Sequence, residues 1–216
     1  MSPPQRVLFL HGFASSARST KGAYFAQKFA ALGMAFRCPD FNEPDFSALT
    51  MTRMLEQLDA ELASERGPAT LIGSSLGGTL AILAAARFAG RVDRLVLLAP
   101  AVMFGKSEDP VMSPERIEEW RLARTMRFFH HAYGEERSLH FRFYEDSLNY
   151  DAFNAPFAQP TIVFQGLRDV SVDYRTVEQF ARVRPNVTLS LVDDDHQLTA
   201  SLPRIWNDVA PFLELV

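Results

Sequence analysis

The pentapeptide Gly73-Ser74-Ser75-Leu76-Gly77 constrains this chain more than any other feature, because of what stands on either side of it. Ala69-Thr70-Leu71-Ile72 precedes it as a short apolar run, and Leu76-Gly77-Gly78-Thr79-Leu80-Ala81-Ile82-Leu83 follows it with helical character. A serine between two such glycines, at a strand-to-helix junction, implies a turn so sharp that a Cβ at either glycine would meet neighbouring backbone. The Ser75 hydroxyl is then pushed out of the sheet, with the helix amino end behind it adding partial positive charge. Strain at Ser75 is expected. No Gly-Lys-Ser/Thr follows, which excludes a Walker loop, and Gly-x-Gly-x-x-Gly is absent too.

Around that turn, short apolar runs alternate with amphipathic stretches. Strands are expected at 6–10, 34–38, 70–73, 94–99, 161–165 and 187–192, and helices at 21–32, 46–65, 76–88, 174–182 and 202–215. Buried strands separated by helices predict an α/β fold, a mostly parallel sheet of about six strands with helices on both faces. With 216 residues, 47% apolar and 22% charged, the chain can build a large core and is read as a single domain spanning 1–216. The uncharged stretch 67–86 has the length of a membrane span, but Pro68 and the Gly-Ser turn divide it into a buried strand and a buried helix.

The alternation breaks once, between Val102 and Gln159, and the segment at about 103–158 is read as a helical, aromatic-rich lid or cap insertion. Ser113-Pro114-Glu115 is a helix start, with a capping hydroxyl, proline at the first helical position and acid in the first turn. Leu122, Met126, Phe129 and Tyr133 continue at helical spacing and carry the expected helix through His130 and His131. Trp120, Phe128, Phe141, Phe143, Tyr144, Tyr150, Phe153 and Phe157 enrich the segment in aromatics. These rings either glue the insertion to the sheet or line a substrate pocket, Trp120, Phe104 and Phe143 being the candidates for the second role. Arg121, Arg124, Arg127 and Arg142 are candidates to receive a carboxylate or phosphate.

Ser75 at such a turn is a candidate nucleophile, and a serine hydroxyl needs a base within hydrogen-bond reach. Of the five histidines, His196 follows the last expected strand and the run Asp193-Asp194-Asp195, at the edge where sites on open α/β sheets gather. His11 closes the first strand and is expected to brace its loop. His130 and His131 point about 100° apart on the expected helix, His140 is isolated, and no acid or cysteine completes a zinc set with them, so no metal is expected. Asp169, just past the strand at 161–165, is expected to orient His196. Asp173 reads as a helix cap and 193–195 as a solvated acidic turn. Backbone N–H groups of Phe13, after the first strand, and of Leu76, after Ser75, are expected to form an oxyanion hole. The chain order Ser75, Asp169, His196 is that of the α/β-hydrolase fold.

Charge and cysteine content restrict the partners. Lys and Arg number 22 against 26 acidic residues, so a net charge of −4 leaves no basic surplus for nucleic acid. The lone Cys38 can form no internal disulfide, and the opening Met-Ser-Pro-Pro-Gln-Arg lacks the cationic start and long apolar run of a signal peptide; a cytoplasmic protein is expected. No membrane partner or cofactor is signalled, and the sequence carries no mark of an oligomeric state.

His11-Gly12-Phe13-x-Ser15-Ser16-x-x-Ser19-x-Lys21, Gly73-Ser74-Ser75-Leu76-Gly77-Gly78, Pro100-Ala101-Val102 and Asp169-x-x-x-Asp173-Tyr174-Arg175 resemble the small bacterial α/β-hydrolase esterases of the YqiA type. The resemblance implies a serine esterase or thioesterase that works without a cofactor, with Ser75, Asp169 and His196 at the family's catalytic positions. The chain departs from that pattern in its longer insertion after Val102 and in Gln197-Leu198 after the histidine, both bordering the acyl pocket. The function expected is hydrolysis of carboxylic ester or thioester bonds of small acyl or aryl substrates through an acyl-enzyme. The same triad would serve a peptidase or a C–C bond hydrolase, and a non-catalytic scaffold would use the aromatic lid to bind a ligand. Dehalogenases and epoxide hydrolases carry Asp where this chain has Ser75.

Overall fold

The computed structural model describes residues 6–106 and 112–215; the opening 1–5, read above for a leader, and 107–111 of the insertion lie outside the described residues. In chain order the first elements are β1 (Val7–Leu10), α1 (Thr20–Ala31), β2 (Phe36–Arg37), α2 (Met51–Ala63), β3 (Ala69–Ser74), α3 (Leu76–Arg87) and β4 (Val92–Leu98). There follow α4 (Pro114–Ala123), β5 (Thr125–His130), β6 (Glu135–His140), α5 (Arg142–Ser147), β7 (Thr161–Gly166), α6 (Tyr174–Arg182), β8 (Val187–Val192) and α7 (Leu202–Phe212).

Side chains alternate across a strand, and that alternation divides the apolar residues between two cores. Leu8, Leu10, Leu71, Leu95, Leu97 and Val163 face one layer, with α2, α3, α6 and the inserted segment. Val7, Phe9, Ile72, Val96, Leu98 and Phe164 face the other, packed by Phe25 and Phe29 of α1 and Ile205 and Val209 of α7. Six strands pair in the order β2-β1-β3-β4-β7-β8, every neighbour parallel. Because all six run the same way, the loops that follow β1, β3, β7 and β8 emerge at one edge.

Three expectations are corrected. The strand at 34–38 shrinks to Phe36–Arg37, an edge strand paired only along β1. The helix at 46–65 is split: Asp45 caps a single 3-10 turn at Phe46–Ala48, and Thr50 starts α2 by accepting from the Arg53 N–H, so side chains replace two stretches of helical hydrogen bonding. The lid helix begins as expected at the Ser113 cap but stops at Ala123, where Arg124 turns left-handed (φ 63°). The stripe beyond it belongs to a hairpin, β5 antiparallel to β6, closed through Gly134 at φ 68°. Met126, Phe128 and His130 turn inward and Phe129 outward, a period of two in a run of β-branched and aromatic residues. His130 and His131 diverge at the end of a strand, not around a helix.

The stretch 67–86 divides into β3 and α3 as expected, and among the described residues no helix is long and apolar enough to cross a membrane.

Candidate active site

The turn after β3 is as tight as its glycines require. A Cβ at Gly73 would stand 2.4 Å from the Gly77 carbonyl oxygen, and one at Gly77 only 1.9 Å from that of Leu10. These absences let α3 start hard against β1 and β3. Ser75, at the cap position of α3, takes φ 53° and ψ −117°, a conformation L residues avoid.

His196 lies in the loop after β8, Asp169 in the loop after β7, and the edge they share brings both to Ser75. Nε2 of His196 is 3.0 Å from Ser75 Oγ, and Nδ1 is 2.8 Å from Asp169 Oδ2. Asp169 also accepts from the Gln165 side chain (2.8 Å) and from the N–H groups of Ser171 and Val172 (2.8 Å each). Burial pushes its carboxyl upward, but the bonds from His196, Val172 and Gln165 outweigh that and hold it below the usual carboxylate range. Asp173 caps α6 as expected. The expected solvated turn at 193–195 is corrected at Asp194, which is buried and accepts from the N–H groups of Asp195 (2.8 Å) and Ser201 (2.9 Å), tying the histidine loop to the start of α7.

Phe13 and Leu76 flank Ser75 on the wall of a cavity of about 1050 Å³, and among the described residues neither N–H has a protein acceptor. A Cβ at Gly12 would sit 3.4 Å from that of Ser75, so the loop after β1 runs directly over the hydroxyl. His11 braces that loop: Nε2 accepts from the Phe41 N–H (3.1 Å), leaving Nδ1–H to donate to the Gly12 carbonyl (2.9 Å). Asn42 donates to the Ser15 carbonyl (2.8 Å) and accepts from His130 Nε2 (3.0 Å), which anchors the hairpin to the same loop. Burial, first, then His11 and Arg137 hold His130 below the ordinary imidazole range. His130 and His140 stand at opposite ends of the hairpin, and among the described residues no His, Cys, Asp and Glu group of three or more is arranged to hold a metal.

Phe104, Trp120 and Phe143 line the cavity, with Phe143 stacked on Phe13 at 5.5 Å. Trp120 is also a tie, its Nε1–H donating to the Leu139 carbonyl (3.0 Å). Phe153 and Phe157 pack instead on Phe180 and Arg184, so the aromatics divide between the two roles. Among the described residues the cations on the cavity wall are Arg18, Lys21, Lys106 and Arg116, in place of the expected Arg121, Arg124, Arg127 and Arg142. Sequence reasoning assigned no role to Gln165 or Lys21. In the structure Lys21 shares the buried face of α1 with Gly22, Phe25 and Phe29.

The model of the Uncharacterised protein family (UPF0227) matches residues 6–213. No curated protein matches the chain. Among solved structures, Alpha/beta hydrolase domain-containing protein 10 from mouse is similar over 99% of this chain and 92% of its own, at 20% identity and a TM-score of 0.81. Est1E from Butyrivibrio proteoclasticus with ferulic acid bound is similar over 99% and 92%, at 18% identity and 0.80. The monoacylglycerol lipase of Paleococcus ferrophilus is similar over 99% and 96%, at 10% identity and 0.77. What they share with this chain is the fold.

Proposed function

Because the chain belongs to the UPF0227 family and has the α/β-hydrolase fold, we propose that it is a serine hydrolase acting on carboxylic ester or thioester bonds of small acyl or aryl substrates. The observation that carries this reading is the imidazole of His196 bridging the Ser75 hydroxyl (3.0 Å) and the Asp169 carboxylate (2.8 Å) beside a cavity. Ser75 attacks the carbonyl carbon while His196 Nε2 takes its proton, and Asp169 holds Nδ1–H and stabilises the imidazolium. The oxyanion is received by the Phe13 and Leu76 N–H groups, with the amino end of α3 adding its dipole. The imidazolium then protonates the leaving alcohol or thiol, and water, deprotonated by the same imidazole, releases the acid from Ser75.

The cavity supports an apolar or aryl acyl group: Phe104, Phe143 and Trp120 supply flat apolar walls. The ferulic acid held by Est1E is an aryl acid of that kind. Labelling with a fluorophosphonate, followed by peptide mapping, tests the reading together with a p-nitrophenyl ester series from acetate to palmitate. The adduct is expected on Ser75, and Ser75→Ala is expected to fold normally and lose roughly 10⁶-fold in kcat. Unlabelled protein with no ester turnover would leave only a binding scaffold; turnover surviving in Ser75→Ala would remove Ser75 as nucleophile.

A further inference from the structure

Lys21 occupies a place that an ammonium should avoid. It lies in the first turn of α1, where the backbone dipoles already present positive charge, and it is 7% exposed. Holding its four-carbon stem still adds an entropic cost. Nothing in α1 requires it, since Ser19 caps the helix and Phe25 and Phe29 provide the packing. Its compensation comes from the other end of the chain: Nζ donates to the Gln197 carbonyl (3.0 Å) and, at a longer 3.4 Å, to the His196 carbonyl.

Those carbonyls belong to a loop that needs a hold. Between β8 and α7 the backbone has no regular structure, and Leu198 is left-handed at φ 53°. The other ties grip the flanks of His196: Asp194 binds the N–H groups of Asp195 and Ser201, and Asp195 binds that of Gln197 (2.8 Å). Among the described residues, the His196 carbonyl has no donor besides Lys21. We propose that Lys21 is a positioning residue of the candidate active site, clamping the His196 and Gln197 carbonyls so that the imidazole stays between Ser75 and Asp169. This rests on the serine-hydrolase reading above. Burial lowers the Lys21 pKa to about 8, and the surrounding carboxylates of Asp169, Asp195 and Asp194 offset part of that desolvation.

The test compares wild type, Lys21→Met, Lys21→Arg and Ser75→Ala for p-nitrophenyl butyrate hydrolysis, melting temperature and the downfield proton resonance of His196 Nδ1–H. Lys21→Met replaces the ammonium by an apolar chain of similar length. It is expected to melt within a few degrees of wild type, lose about 10²-fold in kcat, the scale of a displacement of ~1 Å, and keep KM within about twofold. The downfield resonance should persist in Ser75→Ala and broaden or vanish in Lys21→Met, and Lys21→Arg, which keeps a cationic donor, should regain at least about tenfold in kcat over Lys21→Met. Wild-type kcat and an intact resonance in Lys21→Met, with Ser75→Ala inactive, would overturn the clamp alone. Losses of activity that only follow losses of folded protein would also overturn it. Should Lys21→Met fail to fold, Lys21→Gln, whose uncharged amide nitrogen stops one bond short of Nζ and so cannot reach both carbonyls, decides: reduced kcat at unchanged KM supports the clamp and wild-type kcat overturns it. Activity surviving in Ser75→Ala would instead sink the hydrolase reading on which the clamp depends.

Discussion

Asp169 has both carboxylate oxygens fully engaged: Oδ1 takes the N–H groups of Ser171 and Val172, and Oδ2 takes Gln165 and His196. An amide in its place has one accepting oxygen and one donating nitrogen, so Asp169→Asn must lose either the loop or the histidine. If the oxygen stays with Ser171 and Val172, the amide donates toward His196 and selects the wrong tautomer, with Nδ1 as acceptor and a proton on the nitrogen that faces Ser75. A fall of about 10³–10⁴-fold in kcat is expected with folding retained; ester turnover beside circular dichroism checks it, and near-normal turnover would relieve Asp169 of its role. Lys21 gives a second prediction at this scale. Burial, against the pull of Asp169, lowers its folded pKa from 10.5 to about 8. Between those values the unfolded chain binds more protons, so this group's contribution to stability rises with pH across that window. Lys21→Met abolishes that contribution. The gain in unfolding free energy from pH 7.5 to pH 10, measured by denaturant titration, should therefore be larger in wild type than in the variant.

At the scale of elements, the site depends on how closely α3 approaches β1. The Gly77 Cα hydrogen faces the Leu10 carbonyl at a distance where no Cβ fits. Gly77→Ala must either lift α3 from the sheet or displace the loop that carries Phe13, and a loss on the order of 4 kcal/mol or more is expected, the range reserved for such backbone collisions. A melting temperature near that of wild type would mean the junction yields more easily than its geometry indicates. This contact was legible in the sequence because glycine at a strand-to-helix junction has a steric meaning independent of the rest of the fold. So were the sheet, the caps at Ser113 and Asp173, and the convergence of Ser75, Asp169 and His196. The β5–β6 hairpin was misread as helix because Leu122, Met126, Phe129 and Tyr133 satisfy a helical period by coincidence, while the alternation of Met126, Phe128 and His130 and the turn at Gly134 carried the strand signal. The clamp at Lys21 was illegible for a different reason. Its partners are backbone carbonyls, which look alike in every sequence, and they lie 175 and 176 residues away.

Across the whole molecule, the parallel sheet collects the polar network at one edge and leaves the two apolar cores on its faces. Asp40 follows β2, Asp169 follows β7 and Asp194 follows β8, and all three carboxyls are held below their ordinary range. For Asp40 the neighbouring His11 ring, with Nε2 3.5 Å from Oδ1, leads, joined by the bonds from Asn42; for Asp169 and Asp194 burial opposes the shift, and the bonds from His196 and from the Asp195 and Ser201 N–H groups prevail. A carboxyl whose folded pKa lies below its unfolded value of about 3.9 contributes stability that is fully present above that value and is lost as pH falls through the folded one. Acid should therefore loosen the loops at the carboxyl edge, which hold the candidate site, before it melts the two apolar cores. Near-ultraviolet circular dichroism, sensitive to the packed aromatics around the cavity, is expected to fade at a higher pH than the far-ultraviolet signal of the helices. Asp194→Asn sharpens the prediction, because the amide keeps the size of the side chain but not the charge. Oδ1 accepts from the Asp195 N–H and Oδ2 from that of Ser201, and an amide has one accepting oxygen, so one of the two bonds is lost and the other becomes neutral; the variant should lose about 1–3 kcal/mol at pH 7. It should also show a smaller difference in unfolding free energy between pH 7 and pH 3 than wild type. Should that difference be unchanged, the acid sensitivity of the fold would have to reside in carboxylates away from the histidine loop.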